Sequence, residues 1–454
     1  MGNRLVVLGG DAAGMSAASL AKRRKGDAIE VVALERGRHT SYSACGVPYW
    51  VAGDIEHGDD LVARTPEEHR KRGIDLRMQH EAVSIDVDKR SVTVRDLADA
   101  SSYDLGFDHL VIATGAVPVR PELPGVDAAG IYGVQTLDDG QAVIDGLQRD
   151  RPRRAVVVGA GYIGIEMAEA MVRRGLDVSV VDQATEPMTT LDPDMGRLVH
   201  EAMEGMGIDV RTDAAVEGFE VSDGRVSGVV VEGETIPADV VIFGIGVAPN
   251  GSLAGEAGLP LGESGGIRVD RGMGVRGQDG VWAGGDCVET FHRVSQQWVH
   301  VPLGTHANKH GRVIGENVSG GCATFDGIVG TAVSKVCDLE IARTGLREPE
   351  ALAAGLCFVT VTVEARTRAA YFPGAAPMTV KMLAERRSGR LLGAQIVGRE
   401  GSAKRIDTCA VALWHGMTVE EMISLDLGYA PPFSPVWDPV LVAARAAVSK
   451  LAEA

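Results

Sequence analysis

Short apolar runs that end on a glycine-rich turn recur along much of the chain. Leu5–Leu8 and Glu30–Glu35 have the composition of buried parallel strands, and residues 14–24 between them predict a helix. The same order returns later, as strand Ala155–Val158, helix 164–174 and strand Asp177–Asp182. The pattern therefore predicts two βαβ units, which form a weak internal repeat.

Three further apolar runs end on a glycine or beside an acid, at His109–Ala116, Asp239–Gly246 and Val281–Cys287. Each has the length and the apolar content of a strand that is buried on both faces. We expect them to close the parallel sheets of the two βαβ units.

The pattern changes near residue 326. An antiparallel meander and a following helix are predicted there, at Cys357–Glu364, Met378–Leu383, Leu391–Val397 and 401–415. No glycine loop occurs in this part of the chain. We therefore predict an α/β fold with two Rossmann-like units and a separate C-terminal α+β domain.

The composition bounds the class of protein. A chain of 454 residues is too long for one hydrophobic core, and 45% hydrophobic with 24% charged residues is typical of a soluble globular protein. The net charge of −17 argues against a nucleic-acid partner, because phosphate binding needs a basic surface. No apolar run reaches the roughly 18 residues of a membrane span, and the chain enters a strand at Arg4 without a signal peptide. We expect a cytoplasmic protein without a membrane partner.

The cysteines show no metal-binding or dithiol spacing. They are widely scattered, at Cys45, Cys287, Cys322, Cys337, Cys357 and Cys409. Since no two form a CxxC pair, neither a zinc site nor a thioredoxin-like dithiol is expected. Scattered thiols are typical of reduced, cytoplasmic proteins.

A glycine loop follows the first strand of each βαβ unit. The first loop, Gly9-Gly-Asp-Ala-Ala-Gly14, departs from GxGxxG at Asp11, but Glu35 ends the next strand and is placed to accept hydrogen bonds from a ribose diol. The second loop, Gly159-Ala-Gly-Tyr-Ile-Gly164, is complete and is followed by Asp182. A carboxylate at that position favours NADH, because it repels the 2′-phosphate of NADPH. The sequence thus predicts two dinucleotide sites.

Cys45 lies shortly after the first loop, within Ser41-Tyr-Ser-Ala-Cys-Gly-Val-Pro-Tyr-Trp50. Gly46 and Pro48 predict a helix start, whose dipole would lower the pKa of the thiol and favour the thiolate. A CxxxxC dithiol would need a second cysteine at position 50, which is Trp50. A redox-active Cys45 must therefore cycle through a mixed disulfide, a persulfide or a sulfenic acid, whereas an inert buried thiol is the alternative.

These motifs together resemble those of the pyridine-nucleotide-disulfide oxidoreductases, the glutathione-reductase-like flavoproteins, over essentially the whole chain. Within that family the chain is similar to the single-cysteine branch of coenzyme A (CoA) disulfide reductases, NADH oxidases and peroxidases, and persulfide reductases. The matching segments are the two glycine loops, the Cys45 segment, Ala113-Thr-Gly115, Gly284-Gly-Asp286 and Tyr429-Ala-Pro-Pro-Phe-Ser.

The resemblance implies a domain organisation and a homodimer. Residues 1–115 and 246–325 would bind FAD, residues 116–245 would bind NAD(P)H, and residues 326–454 would dimerise and complete the active site of the partner. Cys45 would be the redox centre, with Tyr371 and Tyr429 of the partner subunit beside it. The implied cofactor-binding residues are Gly9, Asp11, Ala12, Ala13, Gly14, Glu35, Arg36, Val83, Ala113, Thr114, Gly115, Gly159, Gly161, Tyr162, Ile163, Gly164, Asp182, Gly246, Gly285 and Asp286.

Departures from the family pattern bear on the substrate. Ala12 stands where NADH oxidases and peroxidases of the family have a histidine, which weighs against oxygen or peroxide reduction. Ala44 and Trp437 replace an asparagine and a lysine found in some CoA disulfide reductases, which puts CoA recognition in doubt. NADH-dependent reduction of a small disulfide, with CoA disulfide first, is the prediction. Two other classes stay open. One is an NADH oxidase or peroxidase, or a persulfide reductase. The other is an electron-transfer reductase for a ferredoxin-like protein, or a redox-responsive binding protein, in which Cys45 is incidental.

Substrate binding is predicted beside the Cys45 entrance, at Ser16, Lys22, Arg23, Ser41, Ser43, Asn308 and Lys309. The basic run Lys22-Arg-Arg-Lys25 ends the first predicted helix, where it is equally consistent with a solvated helix end. Its functional interpretation is that anionic CoA needs a positive patch on an acidic protein. Arg312 is a further candidate, and His306 and His310 have no assigned role.

Overall fold

The computed structural model describes residues 3–453 and has the predicted α/β fold, with two parallel sheets followed by an antiparallel one. The first unit contains β1 Asn3–Leu8, α1 Ala12–Lys25, β2 Ile29–Glu35, α2 Val47–Ala52, α3 Pro66–Lys71, β3 Ile74–Met78, β4 His80–Asp86, β5 Ser91–Asp96, β6 Ser102–Gly106, β7 His109–Ile112 and β8 Ala116–Pro118. Leu5, Val6 and Val7 on the central strand are fully buried, as expected for a parallel sheet that is covered on both faces.

The second unit repeats the order of the first. It contains β9 Ile131–Gly133, α4 Leu137–Asp150, β10 Arg154–Val158, α5 Tyr162–Arg173, β11 Asp177–Val181, α6 Pro193–Gly205, β12 Asp209–Arg211, β13 Val216–Ser222, β14 Arg225–Val231, β15 Glu234–Pro237, β16 Val240–Phe243 and β17 Val247–Pro249. Its parallel sheet has the order β12-β11-β10-β16-β9. The helices and strands predicted for both βαβ units are found within two residues of their expected ends.

The chain then returns to the first unit through α7 Ser252–Glu256, β18 Val281–Ala283, β19 Thr290–His292, β20 Gln297–Val299 and α8 Gly304–Val318. Strand β18 pairs with β7, which completes the first sheet in the order β18-β7-β1-β2-β3. The two units are joined by β8 and β17, which pair antiparallel to each other.

Each parallel unit also carries a three-stranded antiparallel sheet that the sequence analysis did not predict. These sheets are β4-β5-β6 and β13-β14-β15. In β5 only Val92 and Val94 are buried, and the other four residues are partly or largely exposed. Such half-buried strands contain few consecutive apolar residues, so their signal is weaker than that of the parallel strands.

The third sheet is antiparallel and has the order β21-β22-β25-β24-β23. This part of the chain contains β21 Ala332–Val336, β22 Leu339–Gly345, α9 Glu348–Ala353, β23 Phe358–Arg366, β24 Pro377–Glu385, β25 Leu391–Gly398, α10 Ile406–His415, α11 Val419–Ile423 and α12 Pro439–Glu453. The predicted meander is β23-β24-β25, whereas β21 and β22 were missed. The predicted helix 401–415 begins instead with a 3₁₀ turn at Ala403–Arg405 and is α-helical only from Ile406.

Helices α1 and α8 pack closely because Gly311 lies between them. A Cβ atom at Gly311 would be 2.3 Å from the carbonyl oxygen of Ala13 and 2.6 Å from the Cβ of Ser16. One turn earlier on α8, Asn308 reaches Ser16, whose Oγ donates a hydrogen bond to Asn308 Oδ1 at 3.0 Å. This close approach brings two predicted substrate-binding residues together, although 292 positions separate them in the chain.

Candidate active site

A cavity of about 2030 Å³ lies at the carboxyl ends of the strands of both parallel sheets. Ligands of open parallel sheets bind at these strand ends. The predicted cofactor-binding residues that line the cavity are Gly9, Asp11, Glu35, Arg36, Val83, Ala113, Thr114, Gly115, Gly159, Gly161, Tyr162, Ile163, Asp182, Gly246 and Asp286. Cys45 lines the same cavity. The tertiary structure therefore brings both glycine loops and the thiol to one space.

The carboxylates of Glu35 and Asp182 are held in equivalent ways. Glu35 accepts hydrogen bonds from the backbone N–H groups of Gly10 at 2.7 Å and Gly37 at 2.6 Å. Asp182 accepts hydrogen bonds from the N–H groups of Ala160 and Ala184, at 2.5 and 2.8 Å. Because each carboxylate is fixed beside its glycine loop, its remaining lone pairs can accept hydrogen bonds from a ribose diol.

The loops leave no room for side chains at their glycines. Gly9 has φ 112° and Gly159 has φ 97°, a conformation that favours glycine. A Cβ atom at Gly14 would be 2.0 Å from the carbonyl oxygen of Gly9, and one at Gly164 would be 1.9 Å from that of Gly159. The loops therefore turn tightly into α1 and α5, and the N-termini of these helices face the cavity, as dinucleotide pyrophosphate binding requires. These residues fit two dinucleotide cofactors, FAD and a nicotinamide nucleotide.

Some predicted cofactor-binding residues support the cavity without lining it. Gly14 and Gly164 allow the close turns, and Ala13 packs against Gly285, where an added Cβ would lie 3.1 Å from the Ala13 Cβ. The Gly285 N–H donates to Nδ1 of the buried His310 at 3.2 Å. His310 therefore steadies the loop that ends in Asp286, a role that the sequence analysis left open.

Cys45 lies in a 3₁₀ turn, Ala44–Gly46, immediately before α2, and its side chain is exposed to the cavity. The predicted helix start is present, but α2 has only six residues. Burial of the surroundings and the carboxylates of Glu166 and Asp286 raise the pKa of the Cys45 thiol. The structure therefore does not give the predicted lowering of the Cys45 pKa, because burial, as the larger cause, and the two carboxylates both raise it.

An acidic group missed by the sequence analysis lies in the same cavity. Glu166, on α5, accepts a hydrogen bond from Ser334 Oγ at 2.8 Å, and burial raises the pKa of its carboxyl to about 7. Burial raises the pKa of Asp11 to about 6 as well. Glu166 comes only two residues after Gly164, and its local sequence does not distinguish it from an exposed helix position. Its place in the cavity becomes visible only in the tertiary structure, where Glu166 contacts Ser334 of the C-terminal domain.

A second, smaller cavity of about 450 Å³ lies beside the first and shares Asp11, Tyr42 and Asn308 with it. Three arginines, Arg23, Arg64 and Arg312, line this cavity, which we call the arginine cleft. The predicted substrate residues Ser16, Ser41, Ser43 and Asn308 line it too, as does Ala12. Within residues 3–453 none of the three arginines forms an ion pair. By contrast, Lys22 and Arg24, which flank Arg23 on α1, both form ion pairs. The cleft therefore contains three arginines without an ion pair and one carboxyl group, that of Asp11.

Two predicted substrate residues do not belong to the cleft. Lys22 is largely buried; its Nζ donates to the carbonyl oxygen of Ile29 at 3.1 Å and lies 3.8 Å from Asp27. The structure therefore does not place Lys22 with the other predicted substrate residues, because the helical rotation of about 100° per residue turns it away from the cleft that Arg23 faces. Lys309 is exposed on α8 but lines neither cavity, since its neighbour Asn308 is the residue that faces them.

Tyr371 and Tyr429 lie outside both cavities of their own chain. Tyr371 is 77% exposed and Tyr429 47% exposed, and the neighbouring Tyr371 phenol raises the pKa of Tyr429. The loops that carry them are joined by a hydrogen bond from the N–H of Ala369 to the carbonyl oxygen of Pro431. They form a surface, here called the aromatic patch, with the exposed side chains of Phe433, Val436 and Trp437. Several large apolar side chains exposed within a short stretch of chain are typical of an interaction site.

Neither a membrane helix nor a metal centre is evident in the part of the chain that the structure describes. None of the helices between residues 3 and 453 combines the length and the apolar character that a bilayer span requires. Over the same residues, no group of three or more histidine, cysteine or acidic side chains is arranged to hold a metal ion.

Two family models match most of the chain. The model described as pyridine nucleotide-disulphide oxidoreductase matches residues 3–311, and the model of the dimerisation domain from the same group matches residues 331–439. The boundary between the two matches falls just before β21, at the start of the antiparallel sheet.

Relatives of known name are similar over almost their full length. The chain is 36% identical over 450 residues to an NADH oxidase of Methanocaldococcus jannaschii, with 99% of each chain covered. It is 37% identical over 447 residues to a CoA-dependent NAD(P)H sulfur oxidoreductase of Pyrococcus furiosus, with 97% of this chain and 98% of the relative covered. The structure of an NAD-dependent persulfide reductase from A. fulgidus has a TM-score of 0.96 and 38% identity, covering 99% of this chain and 84% of that one.

Proposed function

This chain belongs to the pyridine nucleotide-disulphide oxidoreductase family, and from that premise we propose that it uses NADH to reduce the disulfide of coenzyme A. The family confirms an FAD-dependent oxidoreductase that uses a nicotinamide nucleotide. The observation that carries the substrate proposal is the arginine cleft. It contains three guanidinium groups that form no ion pair within residues 3–453, and it shares lining residues with the cavity of Cys45. CoA carries several phosphate charges, and arginine is suited to bind them.

Cys45 is proposed as the nucleophile. Its thiolate attacks one sulfur of the substrate disulfide, so that Cys45 forms a mixed disulfide and one thiolate leaves. The first glycine loop, Glu35 and Asp286 would hold FAD, which would supply electrons taken from NADH. With two electrons added, the mixed disulfide would separate into the Cys45 thiolate and a second free thiolate. Each released thiolate takes one proton. Cys45 is therefore the enzyme group that forms and breaks a bond to sulfur, and it returns to its starting state.

The tyrosines of the aromatic patch are proposed to act across a homodimer. In their own chain Tyr371 and Tyr429 are solvent-exposed and lie outside both cavities. A phenol with an ordinary pKa near 10 is matched to the protonation of thiolates, whose pKa is about 8.5. Dimerisation through residues 331–439, the segment matched by the dimerisation model, would cover the apolar surface of the patch and give these phenols a catalytic position.

The three activities named among the relatives are separated by one set of assays. The proposal predicts thiol release when NADH and CoA disulfide are added to the holoenzyme. Oxygen uptake with NADH alone at a comparable kcat/KM would instead identify an NADH oxidase, and sulfide release from a CoA persulfide with no reduction of CoA disulfide would identify a persulfide reductase. Either of these two outcomes contradicts the proposed substrate.

The arginine cleft should control KM for CoA disulfide. Replacing both Arg64 and Arg312 with alanine should raise KM by about tenfold or more at low salt, because each charge-assisted contact is worth roughly 1.5–3 kcal/mol before screening. The increase should shrink as the salt concentration rises and should be absent for an uncharged disulfide. Arg24→Ala is the matched control, since Arg24 pairs with Glu316 outside the cleft. An unchanged KM in the double variant would remove the cleft from substrate binding.

Asp182 should favour NADH over NADPH. The carboxylate is fixed by two backbone N–H groups and cannot turn away from a 2′-phosphate, and placing like charges together at a binding site costs several kcal/mol. We expect Asp182→Ala to lower the ratio of kcat/KM with NADH to kcat/KM with NADPH by about tenfold or more. Glu35→Gln serves as the matched control, because it should reduce FAD content without changing that ratio. Better use of NADPH by the unmodified enzyme would contradict the prediction.

Tyr429 should act on Cys45 of the other subunit. Tyr429→Phe should slow thiol release while NADH still reduces artificial electron acceptors at the normal rate. In a heterodimer of one Cys45→Ser chain and one Tyr429→Phe chain, one site keeps both groups, so about half of the unmodified dimer activity should return. Tagged chains purified as heterodimers allow this measurement. If proven heterodimers show no recovery, Tyr429 acts within its own chain or has no part in the reaction.

A further inference from the structure

Ser41 lies in the arginine cleft with a strained backbone. Its φ of 49° is in the left-handed region, which residues other than glycine rarely adopt. The conformation is imposed from both sides, since the Ser41 N–H donates to the carbonyl oxygen of Gly10 at 3.2 Å and its own carbonyl oxygen accepts from the N–H of Ala63 at 2.8 Å. Strain that the surroundings maintain in this way is concentrated at functional sites. Its effect here is to fix the direction of the Ser41 side chain.

A buried histidine supports the Ser41 hydroxyl from behind. His69, on α3, is 0% exposed, and its Nε2 lies 3.0 Å from Ser41 Oγ. Among residues 3–453 the Nδ1 atom of His69 has no hydrogen-bond partner, although it is buried. Burial and the cations of Arg64 and Arg72 lower the pKa of His69 to about 4, so the ring is neutral near pH 7. A neutral ring carries one N–H, and its position decides what Ser41 can offer to the cleft.

The charge of the cleft favours one of the two positions of the His69 ring hydrogen. If His69 carries its hydrogen on Nε2, it donates to Ser41 Oγ, and the hydroxyl hydrogen of Ser41 is directed to the cleft. If the hydrogen is on Nδ1, Ser41 must donate to Nε2 and offers only lone pairs, which anionic ligands do not bind. Arg23, Arg64 and Arg312 line the same cleft, so a ligand that they bind would present acceptor oxygens to Ser41. The Nε2–H arrangement therefore fits the site.

We propose that His69 is a positioning residue that holds the Ser41 hydroxyl as a hydrogen-bond donor to a phosphate-bearing substrate in the arginine cleft. This inference rests on the proposed function for the chemistry of the ligand. It extends that function by adding a residue that contacts neither the substrate nor Cys45, and that acts only through Ser41.

The experiment measures binding and turnover separately. The dissociation constant of CoA is determined by calorimetry on the FAD-containing enzyme, and the reduction of CoA disulfide by NADH is followed as thiol release. The variants are His69→Phe, His69→Gln, Ser41→Ala and the double variant Ser41→Ala with His69→Phe. His109→Phe is the matched control, because His109 also has a buried Nδ1 without a partner within residues 3–453 but packs against Trp282 and does not line the cleft. FAD content and melting temperature show that each variant is folded.

We expect His69→Phe to weaken CoA binding about fivefold, the size of one hydrogen bond, with kcat little changed. His69→Gln keeps an N–H donor within reach of Ser41 and should recover most of the affinity, and it remains informative if the phenylalanine variant does not fold. The decisive result is the double variant, which should bind CoA no more weakly than Ser41→Ala alone, while His109→Phe binds normally.

Additive losses in the double variant, or equal losses in the phenylalanine and glutamine variants, would overturn the inference even if CoA disulfide is turned over. Absence of CoA binding by the unmodified enzyme would overturn it as well. If CoA binds with the expected dependence on Ser41 and His69 but its disulfide is not reduced, the inference stands and the proposed reaction fails. The two proposals can therefore fail independently.

Discussion

Replacing Cys45 with serine should lower kcat for NADH-dependent disulfide reduction by more than about a thousandfold. A serine hydroxyl has no thiolate form and cannot build the mixed disulfide on which the proposed reaction depends. Cys45 is the thiol that lines the main cavity, while Cys287 and Cys409 are buried elsewhere. The change removes a single sulfur atom from an exposed side chain, so the fold and the cofactor sites should be preserved.

The control for this prediction is the oxidation of NADH by the enzyme, which does not need Cys45. NADH should still reduce an artificial electron acceptor with the serine variant, and FAD content should equal that of the unmodified enzyme. Cys337→Ser provides a matched cysteine substitution outside both cavities and should retain disulfide reduction. Substantial disulfide reductase activity in Cys45→Ser would exclude the thiol mechanism and would favour an electron-transfer reductase in which Cys45 is incidental.

Replacing Lys381 with methionine should destabilise the protein by about 3–5 kcal/mol. Lys381 on β24 is only 4% exposed, and its Nζ lies 3.1 Å from Asp192, 2.7 Å from Asp194 and 2.9 Å from Glu348. Asp192 is itself 1% exposed. Removal of the cation leaves a buried carboxylate without a countercharge, which costs more than the pair contributes when it is intact.

Urea titration of the holoenzyme, followed by tryptophan fluorescence and by release of FAD, measures this change. Lys404→Met is the matched control, since Lys404 forms an exposed ion pair with Asp407 and its loss should change the free energy of unfolding by at most about 1 kcal/mol. Adding Asp192→Asn to Lys381→Met should recover part of the loss, because it removes the uncompensated charge. If Lys381→Met changes the free energy of unfolding by less than about 1 kcal/mol, water reaches the cluster or its carboxylates are protonated.

The Lys381 cluster also fixes the position of a segment of the nucleotide cavity. Asp192 precedes α6, and its carboxylate accepts hydrogen bonds from the N–H of Glu348 at 3.0 Å and from Gln395 Nε2 at 2.6 Å. Just before it, Thr189 and Thr190 line the main cavity. The C-terminal part of the chain therefore holds one wall of the site in place, in addition to the dimerisation that we propose for it.

The local motifs could be predicted because each is a continuous piece of chain. The loops Gly9–Gly14 and Gly159–Gly164 each connect a strand to a helix, and their spacing follows from the close backbone contacts of the turn. Glu35 and Asp182 end the next strand in each unit, so their distance along the chain predicts their position beside the loop. The family, the α/β fold and the cofactors follow from these motifs.

Residues contributed by separate elements could not be placed in this way. The arginine cleft combines Arg23 of α1, Arg64 before α3 and Arg312 of α8, and their sequence neighbourhoods do not connect them. The run Lys22-Arg-Arg-Lys25 suggested a single patch, but an α-helix rotates successive side chains by about 100°, so Arg23 faces the cleft while Lys22 binds the carbonyl oxygen of Ile29.

By itself, the sequence determined the fold class, the two dinucleotide sites and the thiol, because these depend on hydrophobic periodicity and on contiguous motifs. Only the tertiary structure decided the electrostatic surroundings of those groups. Burial, together with Glu166 and Asp286, raises the pKa of Cys45, and His69 lies behind Ser41, because chain segments far apart in sequence pack into one site. A pKa and a hydrogen-bond direction depend on burial and on neighbouring charges in three dimensions, and local sequence does not contain that information.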